Sequence, residues 1–376
     1  MRCSGDYRVQ LPGTHAAVPW DPFAVERDRY PGFLEIEYLA GVFRAYEALD
    51  PPPVTFVVTW NVDVVPVRGD DVIVVLLGDE WCRAPRYAAD VRAVVRTYRD
   101  RPVLTLHPAR PFRLNALDVV QFARAHLLGA PQRLDRFRQR VQGHPPAPTH
   151  LVPLGYAHQL DLPLVDLGDR DLDVFFVGSM QNLVPARWSL RRLLGTPKDV
   201  TRSRMLHYAD AAARRRPDLN VVLETTGQFA GNVTQAAGAF DLAAADYSDK
   251  MMRTKIALVP RGTSLDTYRL FEALRYGCVT VTDRLPRRWY YDGAPVVEIG
   301  DWAELPGIVD ELTGDPARMR QLHVQARAFW DRWCSEPAVG RFLFDRLCRT
   351  GSPPVSRDAS QRVGVLSGAH PLSERR

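Results

Sequence analysis

The sequence predicts an α/β protein made of two halves, each with a parallel sheet, facing one another across a cleft. Three observations support this. Short apolar runs alternate with amphipathic stretches of helical period, the pattern of βαβ units. A chain of 376 residues is long for one domain and ample for two. The stretch 142–149 (QGHPPAPT) reads as a linker or loop, and the two halves join near residues 150–170.

In the first half, Phe33 to Leu49 has helical periodicity, Pro51 to Pro53 interrupt it, and Val54 to Trp60 reads as a strand. Val72 to Leu77 (VIVVLL) is a buried strand running into Gly78-Asp79-Glu80-Trp81. Pro85 to Arg99 carries both helix and strand signals, and Val103 to His107 reads as a short strand. Asn115 to Val141 is a long basic helical region broken near Gly129-Ala130-Pro131. The second half opens with the strand Val174 to Gly178, followed by a helix from about Pro185, a helix Arg204 to Arg216 and a strand Val221 to Glu224. Ile256 to Val259, Thr267 to Tyr276 and Val279 to Thr282 then form strand, helix and strand, and helices from about Glu304 to Arg349 close the fold. The expected domains are 1–160 and 161–350, with a polar, disordered tail at 351–376.

Composition narrows the class. Hydrophobic residues are 46% and charged residues 25%, as in ordinary globular proteins. No run of 18 apolar residues suggests a transmembrane helix, and the first 20 residues lack the apolar core of a signal peptide. Cys3, Cys82, Cys278, Cys334 and Cys348 are scattered without metal-ligand spacing, which points to reduced thiols and a cytoplasmic setting. The net charge of +5 suits a polyphosphate ligand, and no nucleic-acid-binding signature accompanies it. Lysine occurs only at 198, 250 and 255, so arginine supplies nearly all the positive charge.

The segment 255–283 carries the chemistry. A buried strand ends at Pro260, the loop RGTSLD follows, and a helix starts near Thr267 and ends at Gly277. Free amides at the helix start, the hydroxyls of Thr263, Ser264 and Thr267, the flexible Gly262 and the guanidinium of Arg261 suit a diphosphate. Tyr268, Arg269 and Glu272 share neighbouring helix surface, and a carboxylate there can accept two ribose hydroxyls. Gly178 and Ser179 end the first strand of this half, where backbone amides meet phosphate, with Arg187 beyond as counter-charge. Across the cleft, Asp79 and Glu80 follow a buried strand at the end where such sheets place their sites, and either is a candidate base for an acceptor hydroxyl. His15, His107 and His158 are weaker candidates. Asp171-Leu172-Asp173 spells a short metal-binding motif but sits in an acidic connector, and is read as solvated. The basic helix from Arg124 to Arg140 suits an anionic membrane or, more simply, solvent.

Pro260-Arg261-Gly262, Thr267-Tyr268-Arg269, Glu272-Ala273-Leu274 and Gly277-Cys278 together resemble the C-terminal signature of exostosin-like glycosyltransferases over about 30 residues. The resemblance implies the GT-B fold of two Rossmann-like domains, with a nucleotide-sugar donor held mainly by the second. It also implies that Glu272 binds ribose while Arg261 and Arg269 lie near the diphosphate. The position eight before Glu272 is Ser264, where many enzymes of this fold have a second glutamate. The expected activity is transfer of a hexosyl or pentosyl group from a nucleotide sugar to an acceptor hydroxyl or similar nucleophile, on a small molecule or glycan. No metal or other cofactor is expected, nor any integral membrane segment. The alternatives are an epimerase on the same scaffold or a nucleotide-sugar-binding protein without catalysis.

Overall fold

The computed structural model describes residues 5–157, 160–180, 195–226 and 239–348, with backbone alone at 239–243. Two sheets form it. The first has strands β1 (Asp6–Gln10), β2 (Val18–Pro19), β3 (Thr55–Thr59), β4 (Gly69–Leu76), β5 (Val91–Arg96) and β6 (Thr149–Leu151), in the order β2-β1-β3-β4-β5-β6. All neighbours are parallel except β1 and β2. Val72–Leu77 is apolar at every position because β4 is central and covered on both faces, its residues from Val72 onward being buried. Helix α1 (Ile36–Glu47) packs an aromatic stripe of Tyr38, Phe43 and Tyr46 onto one face. Helices α2 (Phe112–Leu128) and α3 (Ala130–Val141) lie between β5 and β6 in the chain.

The second sheet is wholly parallel: β7 (Leu172–Ser179), β8 (Val221–Thr226), β9 (Thr254–Val259), β10 (Val279–Asp283) and β11 (Val296–Ile299), ordered β11-β10-β9-β7-β8. Its helices are α4 (Pro197–Arg215), α5 (Ala239–Met252), α6 (Tyr268–Tyr276), α7 (Leu305–Gly314) and α8 (Pro316–Phe329). The strand order reverses between β7 and β9, so a crevice opens beyond their carboxyl ends, where open α/β sheets bind ligands. Two parallel α/β domains facing at these ends constitute the GT-B architecture, the fold class expected.

Four local expectations are revised. Val103–His107 is not a strand: it runs between Pro102 and Pro108, and β6 takes the sheet edge beside β5 instead. Residues 85–99 resolve into a short 3₁₀ turn at Arg86–Ala89 followed by β5. Helix α4 begins seven residues before Arg204, because Thr196 and Asp199 form a reciprocal capping box ahead of Pro197. The last helix, α9 (Glu336–Cys348), returns to pack on α1, so the closing helices do not all belong to the second half. The helix expected from Pro185, and the tail, lie outside the described residues.

Gly277 ends α6 in the left-handed conformation (φ 72°), and its amide closes the last turn. A side chain there would meet Arg327 Cγ and His323 Nδ1 at 2.8 Å. Gly277→Ala is therefore expected to cost about 1–3 kcal/mol, from strain plus displacement of α8. Urea unfolding checks this; an unchanged midpoint contradicts it.

Candidate functional site

The carboxyl ends of the two sheets face one another, and the segments after β4, β5 and β9 meet in the gap beside the end of β7 and the start of α4. A closed ring of charges ties them together. From the first domain, Arg110 reaches Asp118 (3.2 Å) and Asp283 (3.1 Å). From the second, the Arg261 guanidinium pairs with Asp118, and the Arg261 amide donates to Asp283 at 2.9 Å. All four residues are more than nine-tenths buried. Burial pushes the Asp283 carboxyl up despite Arg110, and pulls the Arg261 guanidinium down despite Asp118. Gln121 of α2 completes the seam, donating to the Thr263 carbonyl at 2.5 Å and accepting from Arg261 Nη2 at 3.2 Å.

Several expected donor ligands also make contacts between the domains. Arg261 is turned toward α2, because Asp118 and Gln121 claim its guanidinium. The Tyr268 hydroxyl donates to Glu35 at the start of α1. Glu272 is buried; its two oxygens accept from the Ala157 amide (3.1 Å) and the Tyr247 hydroxyl (2.7 Å), which fixes the interdomain connection. Ser264 turns its hydroxyl onto Asp266 at 3.1 Å, and Gly262 leaves room in the same loop. Arg187 lies outside the described residues.

Other expected residues do converge at the crevice. Arg269 stacks over Phe176, 4.8 Å from its ring centre, and donates to the Val177 carbonyl. A side chain at Gly178 would overlap Arg269 Nη2, so that glycine makes room for the guanidinium. Ser179 accepts from Lys198 Nζ at 3.0 Å through its hydroxyl and from Arg202 through its carbonyl. Thr267 caps α6 with its backbone while its buried hydroxyl has no hydrogen-bond partner among the described residues.

Lys198 and Arg202 were not among the expected residues. Both sit in the first two turns of α4, beside Ser179, and both are buried. Burial first, and then the neighbouring Arg202, hold the Lys198 ammonium down to about 7; burial and Arg269 hold Arg202 down to about 9. Lys198, Arg202 and Arg269 thus gather at the end of β7, and their like charge adds to the burial that lowers the first two. The available signal was lysine's rarity combined with its place just inside a capped helix start.

Opposite this cluster stands half-buried Glu80. Burial raises its carboxyl above the usual range, while Lys198 and a hydrogen bond from Thr263 oppose the rise. Glu80, Trp81, Arg99, Gln121 and Phe122 line a pocket against Arg261. Arg99, also unforeseen, is 5% exposed, and its Nε and Nη1 have no partner among the described residues. Asp79, by contrast, is withdrawn from the pocket. Its carboxylate, 1% exposed, pairs with Arg96 (2.8 Å) and Arg83 (3.0 Å) and accepts the Arg83 amide (2.7 Å). Three donors hold the carboxylate, so in this structure it anchors the strand end. Asp171 and Asp173 of the short acidic motif pair with Arg253 and, at 2.8 Å, with Lys255. Among the described residues no group of three or more His, Cys, Asp or Glu is placed to hold a metal ion, and no helix is long and apolar enough to cross a membrane.

Taken together, the fold and this crevice define a GT-B-type protein with a cluster of cations on one wall and a carboxylate on the other. No family model and no curated protein matches the sequence. Among solved structures, sucrose-phosphate synthase from Thermosynechococcus elongatus aligns at 13% identity and TM-score 0.40, covering 93% of this chain and 98% of that one. Anabaena HepE, solved with UDP and glucose, aligns at 12% identity and TM-score 0.38, over 92% and 99%. The pneumococcal O-GlcNAc transferase GtfA, solved with UDP and GlcNAc, aligns at 9% identity and TM-score 0.38, over 81% and 60%. This chain spans about 60% of the length of the GtfA chains it aligns with. At these scores the fold assignment rests on the chain's own topology.

Asp79→Asn leaves Arg96, 1% exposed, without a counter-charge, and is expected to cost about 3–5 kcal/mol of stability. Ligand affinity at 15 °C should stay within a few-fold of the parent protein. A normal melting temperature with lost turnover would return Asp79 to the chemistry.

Proposed function

We propose that the protein is a glycosyltransferase that moves a hexosyl or pentosyl group from a nucleoside-diphosphate donor to an acceptor hydroxyl or similar nucleophile. The observation that carries this reading is the juxtaposition of the Lys198, Arg202 and Arg269 cations at the end of β7 with Glu80 on the facing sheet. The local likeness of 260–283 to exostosin-like enzymes supports it.

In this reading the donor diphosphate sits against Lys198, Arg202, Arg269 and the free hydroxyl of Thr267, at the starts of α4 and α6. Glu80 takes the proton of the acceptor hydroxyl as its oxygen bonds to the anomeric carbon. The bond from that carbon to the diphosphate oxygen breaks, and its electron pair leaves with the diphosphate, where the fixed cations stabilise it without a metal. The raised affinity of Glu80 for a proton makes it a stronger base than a solvated carboxylate. Arg99 lies beside Glu80 to orient the acceptor. Arg261, Tyr268 and Glu272 act by holding the two domains together.

Glu80→Gln should lower turnover by about 10²–10⁴-fold. Donor affinity should be unchanged or tighter, because a negative charge beside Lys198 is removed. Near-normal turnover would exclude Glu80 as the base.

A nucleotide sugar does not itself titrate between pH 6 and 9, so the pH dependence of its affinity reports on the protein. The free-state Lys198 value of about 7 rises when the diphosphate binds, so binding takes up a proton. Affinity should therefore weaken as pH rises above 7, by up to about tenfold per unit, and the slope should flatten in Lys198→Met. Calorimetry with and without EDTA tests this. A pH-independent affinity removes Lys198 from the site, and complete loss of binding in EDTA overturns the metal-free reading.

A further inference from the structure

The large apolar side chains left exposed are not scattered. Of the 15 among the described residues, eight lie on α2 and α3: Phe112, Val119, Val120, Leu127, Leu128, Leu134, Phe137 and Val141. On α2, Phe112, Val119, Val120 and Leu127 recur at the 7-, 8- and 15-residue intervals that bring side chains back to one face, with Ala116 and Ala123 between them. On α3, Leu134, Phe137 and Val141 follow the same rule at intervals of three and four. Phe112, Leu127 and Val141 are 87%, 75% and 72% exposed, where a folded domain would ordinarily bury such a stripe.

The charge interleaved with these residues is predominantly positive. Residues 112–141 contain six arginines and two aspartates, and Asp118 is buried in the interdomain ring. Asp135 is already engaged by Arg138 (3.8 Å) and Arg86 (4.0 Å). Arg124 stacks over Trp81, 4.7 Å from its ring centre. Two such faces would repel each other, which disfavours a second copy as the partner. A nucleic-acid surface would leave the apolar stripe in water. An apolar face flanked by arginines matches the boundary between acidic lipid headgroups and acyl chains.

We propose that α2 and α3 seat the protein on an anionic membrane surface, with their apolar side chains entering the acyl boundary and their arginines meeting lipid phosphates. The opposite face of α2 supplies Gln121, Phe122 and Ala125 to the pocket beside Glu80, so the docked helix would lie between the bilayer and the crevice. The inference is independent of the sugar-transfer reading.

The test is sedimentation of the full chain with phosphatidylcholine vesicles, alone or with one-third phosphatidylglycerol. Binding is expected only to the acidic vesicles, falling at least tenfold in Phe112→Ser/Leu127→Ser and, separately, in Arg138→Glu/Arg140→Glu. Each variant's melting temperature is measured alongside, and the surface positions chosen should leave it unchanged. Failure to sediment with acidic vesicles overturns the proposal. So does binding that the substitutions leave intact, a dimer in solution that Leu127→Ser dissolves, or arginine-dependent binding to duplex DNA without binding to vesicles.

Discussion

Everything at the crevice depends on the ring formed by Arg110, Asp118, Arg261 and Asp283. Each carboxylate in it accepts from both arginines, and each domain contributes one arginine and one aspartate. A buried ion pair seldom stabilises a fold relative to well-packed apolar groups, because desolvation offsets the attraction. What such a ring does supply is registry. The ring is satisfied only when the loop after β9 and the start of α2 stand at one separation. That separation places Glu80 opposite the cations around Ser179.

The ring also gives a second use to the segment most informative as sequence. Arg261, Tyr268 and Glu272 were expected to bind a nucleotide, since an arginine, a tyrosine and a glutamate near a helix start suit one. The same chemistry suits a polar interface between domains. Which use prevails depends on Asp118, Glu35 and the Ala157 amide, lying 143, 233 and 115 positions away in the chain. No local pattern carries that information.

Elements governed by local rules were legible. The buried strand β4, the αL glycine ending α6, the break between α2 and α3 and the parallel order of strand and helix follow from periodicity and punctuation. Long-range facts were not. Asp79 and Glu80 are neighbours at one strand end with identical positional arguments, yet a buried Arg96 seventeen residues later claims one and leaves the other facing the crevice. Lys198 and Arg202 were overlooked because their meaning comes from β7 and α6, not from their own helix. The helix that returns to α1 was equally hidden, since its apolar period is the same whichever domain it covers.

That returning helix has a mechanical consequence. The chain passes between domains twice, near residue 156 and near residue 334, and the two passages touch. The Tyr156 and Trp330 rings lie 6.3 Å apart, the Tyr156 hydroxyl donates to Glu336 at 2.7 Å, and Tyr38 grips the Cys334 carbonyl at 2.7 Å. Two tethers side by side behave like the leaves of a door hinge. They resist twist and slide between the domains while leaving one rotation soft. The domains are thus fastened at two places, by the paired crossings at one and by the charged ring at the other.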